Sequence, residues 1–177
     1  MKYLIMCEGP NELEVIKILL ENDCFTFSMD DLLGLVSYHA RQIKGSGQVQ
    51  TALNMYPGKV VILRIGDKLS DKLVIPKEYK DKIISVEKYC TKPELEILLI
   101  ISENMTMEFE KVKSKKKAKT FAKENIRCGR KPYKNDTAFY RNYYGSNIQL
   151  LVNSIKDYRK YQGAHKKDEH YLAELLK

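Results

Sequence analysis

The sequence predicts an α/β fold, and three observations carry that reading. Tyr3–Cys7, and Lys59–Ile65 with its Val60–Leu63 centre, are short runs dominated by apolar residues without helical periodicity, the character of strands covered on both faces. Amphipathic helical segments alternate with such runs. Glycine or proline stands at most of the junctions, as at Gly9-Pro10 and Pro57-Gly58.

The elements follow in order. After the strand Tyr3–Cys7, Glu8-Gly9-Pro10-Asn11 forms a turn, with Pro10 suited to a first helical turn. A helix over Asn11–Asn22 places Leu13, Ile16, Leu19 and Leu20 on one face. Gly34–Tyr38 is a second strand leading into His39-Ala40-Arg41, and Gln48–Met55 a short helix. Lys59–Ile65 is the strongest strand and ends at Gly66-Asp67. Lys82–Glu87 is a fourth strand, and Pro93 opens an apolar helix from Glu94 to about Ser102.

Beyond residue 105 the chain turns charged, helical and rich in tyrosine. Asn147–Tyr161 is a helix with Ile148, Leu151, Val152 and Ile155 on one side. Gly163 interrupts it, and Asp168–Lys177 reads as a last short helix. The expected organisation is an α/β domain over 1–104, then a basic helical C-terminal extension over 105–177 packed on it.

With 177 residues, 44% of them hydrophobic, the chain suits one domain with a true core. Fibrous and wholly disordered chains are excluded. No apolar run approaches the ~18 residues of a transmembrane helix, so no membrane partner is expected. The first residues lack the core of a signal peptide, and Cys7, Cys24, Cys90 and Cys128 are scattered. Both features point to a cytoplasmic protein with free thiols.

The net charge of +8 is concentrated. Residues 1–104 carry 13 basic and 15 acidic side chains, whereas 105–134 carry 11 and 3. Lys113, Lys115, Lys116, Lys117 and Lys119 form the densest part. Such a segment beside a mildly acidic domain fits a polyanion, and nucleic acid is the polyanion whose counterions lysine contacts release. A solvated helix face explains the charge equally well. Tyr133, Tyr140, Tyr143 and Tyr144 follow and suit either base stacking or core packing.

In an open α/β sheet, ligands sit beyond the carboxyl ends of the strands. Glu8 and Asp67 stand at such ends, each beside a glycine; Asp71 follows shortly, and Glu94 and Glu96 open the later helix. Glu12 lies one helical turn after Glu8. Carboxylates converging there are what Mg²⁺ or Mn²⁺ needs beside a phosphodiester. Helix dipoles alone would also favour Glu12, Glu94 and Glu96 at their positions. His39 and Arg41 follow the second strand, where Arg41 could clamp a phosphate and His39 act as acid or base.

The stretch Leu4-Ile5-Met6-Cys7-Glu8-Gly9-Pro10-Asn11-Glu12 resembles the first motif of a Toprim domain, and Val61–Asp67 the later strand of the Asp-x-Asp motif. Lys92-Pro93-Glu94-Leu95-Glu96-Ile97-Leu98-Leu99 resembles the helix of small RloB-like proteins, which are Toprim-related and linked to phage defence. The resemblance covers residues 1–104. It implies a Rossmannoid domain with a mostly parallel four-stranded sheet and Mg²⁺- or Mn²⁺-dependent cleavage of nucleic acid. Glu8 would act near the scissile phosphate and Asp67 would bind metal. Arg41 and Lys92 complete the candidate catalytic set. Glu8, Glu12, Asp67, Asp71, Glu94 and Glu96 are the candidate metal ligands. His39, Arg41 and the lysines at 113, 115, 116, 117 and 119 are the candidate nucleic-acid contacts. One departure stands out: the position two after Asp67 is Leu69, not aspartate.

Two rival functions remain open from the residues. One is a non-catalytic module binding nucleic acid or a partner protein, including a second copy of the chain. The other is a phosphohydrolase of small phosphorylated ligands.

Overall fold

The computed structural model describes residues 1–162 and 165–177. Strand β1 (Lys2–Cys7) leads through Gly9 into helix α1 (Pro10–Glu21). Then come β2 (Tyr38–His39), α2 (Gly47–Met55), β3 (Val60–Gly66), β4 (Ile83–Cys90) and α3 (Ile97–Ser102). The rest is α4 (Thr106–Val112), α5 (Ala118–Asn125), a small hairpin of β5 (Arg127–Cys128) and β6 (Lys131–Pro132), α6 (Thr137–Tyr144), α7 (Ile148–Gln162) and β7 (Glu169–His170).

The main sheet has the order β2-β1-β3-β4-β7, and every pairing in it is parallel. β1 and β3 run in register from Lys2 opposite Val60 to Cys7 opposite Ile65. Both are predominantly apolar, Lys2 and Arg64 apart, because helices cover both faces. On one face, Ile5, Leu63 and Ile65 meet α1, α3 and the C-terminal helices; on the other, Leu4, Met6 and Ile62 meet α2.

The α/β class stands, but the sheet has five strands rather than four. The fifth, β7, pairs Lys88 with Glu169 and Tyr89 with His170. The last segment therefore supplies a strand and a 3₁₀ turn at Leu172–Leu175 in place of the expected α-helix. Its sequence has no strand periodicity; the free edge of β4 imposes the conformation. The second strand shrinks to Tyr38–His39, because Gly34 and Leu35 both adopt left-handed φ. The expected break at Gly163 lies outside the described residues. Phe121, Tyr140, Tyr144, Leu151 and Ile155 share one continuous core with β1, β3 and α1, so residues 105–177 complete the layer on that face.

Tyr133, Tyr140 and Tyr144 are core residues, so of their two readings core packing is the one the fold realises. The burial of Tyr140 and Tyr144 follows from α6 packing on α1, and Tyr133 packs edge-on against Phe139 and Tyr140. All four cysteines are free thiols. Among the described residues, no helix is long and apolar enough to cross a membrane.

Candidate active site

The carboxyl ends of β1 and β3 open into a cleft of about 610 Å³. Its floor comes from the sheet: Glu8, Gly9, Glu12, Asp67, Lys68 and Glu94 line it, with Arg41 at one side. Its opposite wall is the α4–α5 connection, with Phe109, Glu110, Lys113, Lys116, Lys117 and Ala118, joined by Tyr161 from α7.

Local sequence places the acids. The Glu8 amide donates to the Ile65 carbonyl at 2.8 Å, which prolongs the β1–β3 ladder by one residue and fixes Glu8 at the sheet edge. Two glycines leave room for carboxylates. A Cβ on Gly66 would stand 2.5 Å from Glu8 Oε2, and one on Gly9 would stand 2.4 Å from Glu12 Oε2. Glu12 thereby folds back over the start of α1, where the helix dipole favours an anion.

These acids crowd one another. Burial, reinforced by the carboxylates of Glu12, Glu96, Glu8 and Glu94, pushes Asp67 up to about 8. Burial likewise raises Glu12, with Glu8 and Glu96 adding to the effect against a hydrogen bond from its own amide. Asp67 Oδ1 is buried and has no hydrogen-bond partner among the described residues. The carboxylates repel without being drawn round one point: among the described residues, no three Asp, Glu, His or Cys side chains are grouped at metal-ligand spacing.

Glu96 sits beneath the cleft rather than in it. It is 5% exposed and accepts from the Tyr133 hydroxyl at 2.6 Å. Glu94 faces the cleft, and its Oε2 accepts from the Lys119 amide at 3.0 Å, capping the first turn of α5. Asp71 lies outside the lining, held at 3.1 Å by Arg64, which lowers its pKa against the opposing effect of burial. Leu69, two residues after Asp67, is buried against Gly66 with a left-handed φ of 42°. It anchors the loop and offers no oxygen.

The cationic candidates divide in the same way. Arg41 reaches Glu8 on two counts, with Nη2 3.6 Å from Oε1 and Nε donating to the backbone carbonyl at 3.4 Å. Lys113, Lys116 and Lys117 line the wall, with Lys113 paired to Glu110 and Lys116 to Glu124. Lys115 is exposed and outside the lining, and Lys119 contributes its amide. Lys92 turns away from the cleft and pairs with the buried Glu169 of β7. His39 borders a separate groove beside Lys17 and Met55.

Four participants escaped the sequence. Lys68 was legible in principle, since it follows Asp67 directly. Arg64 was hidden inside an apolar strand, and Tyr161 and Glu110 reach the cleft only through the packing of α4 and α7. No family model, curated protein or solved structure matches the chain significantly.

Proposed function

We propose that the cleft is a divalent-cation-dependent site acting on nucleic-acid phosphodiesters, in keeping with the Toprim resemblance of residues 1–104. The observation that carries this reading is Asp67. Its carboxyl is pushed up to about 8 among four other carboxylates, and one of its oxygens is buried without a partner. A hard cation would relieve both conditions, and Glu8, Glu12, Asp67 and Glu94 are donors of the kind Mg²⁺ or Mn²⁺ takes. When bound, such an ion supplies Lewis acidity and an activated water. Glu8, at the carboxyl end of β1, would assist proton transfer at the reacting oxygen. Arg41 and Lys68 offset phosphate charge at the floor, while Lys113 and Lys117 follow the backbone along the wall.

The test is incubation of the purified protein with DNA and RNA, with and without Mg²⁺ or Mn²⁺, beside Glu8→Gln. Metal-dependent cleavage lost in the variant is expected. Absence of cleavage, together with no metal-dependent rise in melting temperature, would sink the reading. A second reading, a binding module without catalysis, is favoured by Leu69 occupying the position of a second aspartate. It predicts nucleic-acid binding that metal leaves unchanged. A place in phage defence follows from the resemblance alone and would be tested by phage challenge of cells carrying Glu8→Gln.

A further inference from the structure

We infer that the cleft takes a single-stranded polynucleotide segment rather than an intact duplex; this rests on the reading that the cleft acts on nucleic acid. Three observations lead there. The first is size. A volume of about 610 Å³ falls among sites that enclose one small ligand, roughly 300–1,000 Å³, and so suits on the order of one nucleotide at a time.

The second is that the walls are fastened together. Glu94 from the floor accepts the Lys119 amide at 3.0 Å, which ties floor to wall, and within the wall the Tyr161 hydroxyl donates to Glu110, which ties α7 to α4. Behind these ties, α3 and α5 share the core through Leu98, Leu99, Phe121 and Ala122. Widening the cleft would mean parting these buried surfaces, whereas a flexible strand can adapt to the cleft as it stands.

The third is surface chemistry. Lys68 on the floor and Lys117 on the wall make no ion pair among the described residues, which leaves both for phosphates. Tyr161 lines the same cleft and supplies an aromatic ring there, and base stacking on such a ring is sequence-tolerant. A base inside a duplex is already stacked and cannot use it.

The experiment is fluorescence anisotropy on the full chain, with labelled DNA and RNA strands of about twelve nucleotides, within common single-strand site sizes. Blunt duplexes of the same sequences serve for comparison, and a closed circular duplex is included in a cleavage assay with Mg²⁺. Single strands are expected to bind at least about tenfold more tightly than blunt duplexes, as stacking on one aromatic ring allows. Lys68→Ala and Lys117→Ala should each reduce the log–log salt slope by about 0.7. Equal affinity for duplex, cleavage of the closed circle as fast as of a single strand, or an unchanged salt slope would each overturn the inference. Single-strand preference without cleavage of any substrate keeps the inference and removes the hydrolytic reading. Failure to bind either form removes both.

Discussion

Arg64 and Asp71 form an ion pair that ties the loop after β3 back onto the strand it has just left. The arginine is 2% exposed; its Nη2 lies 3.1 Å from both carboxylate oxygens of Asp71, and its Nη1 donates to the Asp71 carbonyl at 2.7 Å. Nη2 also reaches the Arg41 carbonyl at 3.4 Å, while Gln42 donates to Asp71 Oδ2 and the Lys72 carbonyl, both at 3.0 Å. One buried guanidinium thus fixes the two loops that carry Asp67 and Arg41.

Asp71→Asn should therefore act on stability and not on metal affinity. Removing one partner of a fully buried pair costs about 3–5 kcal/mol. Asp71 is 46% exposed, so water offsets part of the loss and about 2 kcal/mol is expected. Urea unfolding measures the first quantity and calorimetric Mg²⁺ titration the second. A weakened Mg²⁺ affinity at intact stability would return Asp71 to the ligand set.

Asp67 dictates a pH dependence. Its carboxyl titrates near 8 when folded and in the ordinary aspartate range when unfolded, so the folded state binds the extra proton between about pH 4 and 8. Its contribution is therefore most favourable at low pH. It declines by up to about 1.4 kcal/mol per pH unit across that window and levels off above it. Chemical denaturation from pH 5 to 9 should show this slope in the native chain and a flatter one in Asp67→Asn. Identical slopes would contradict the burial assigned to Asp67.

Glu8→Gln keeps the shape of the side chain and removes its charge. Cleavage should fall by roughly 10²-fold or more, the scale of lost acid–base assistance. The Arg41 contact it gives up is long and solvent-exposed, so stability should change by less than about 1 kcal/mol. A fully active variant would refute the catalytic assignment.

The lysines should separate by position rather than by charge. Lys113 and Lys117 line the cleft, whereas Lys115 does not. Lys113→Ala and Lys117→Ala should weaken nucleic-acid binding and lower its salt slope by about 0.7 each, with Lys115→Ala nearly silent. Equal effects from all three would indicate a diffuse basic surface.

Ending the chain at residue 104 should abolish cooperative unfolding. The truncation removes Phe121, Tyr140, Tyr144, Leu151 and Ile155 from the core and exposes the β4 edge that β7 covers. A soluble fragment with a sharp thermal transition would establish residues 1–104 as an independent folding unit.

The parts of this fold written locally could be read from the sequence. Continuous apolar runs gave away β1 and β3, and the acids beside Gly9 and Gly66 marked the edge where the cleft forms. What escaped depends on distant contacts. β7 exists because β4 has an open edge, not because Glu169-His170 prefers to be extended. Lys92 stood in the candidate catalytic set but is held by Glu169, 77 residues later. Glu94 and Glu96 were indistinguishable on paper; one faces the cleft and the other the core, because Tyr133 arrives from beyond the hairpin to meet Glu96.

The placement of β7 has a consequence for the order in which the molecule comes into being. Lys88 and Glu169 are neighbours in the sheet but are synthesised far apart, and a parallel pairing of such separation is slow to close. Synthesis delivers the acidic strand ends of β1 and β3 first, the lysine wall next and Tyr161 and β7 last. A nascent chain on the ribosome, itself dense in RNA, therefore carries basic lysines before it has a finished cleft to present them in. The cleft therefore takes its final form only after Tyr161 and β7, far along the chain from the acidic strand ends, have been added.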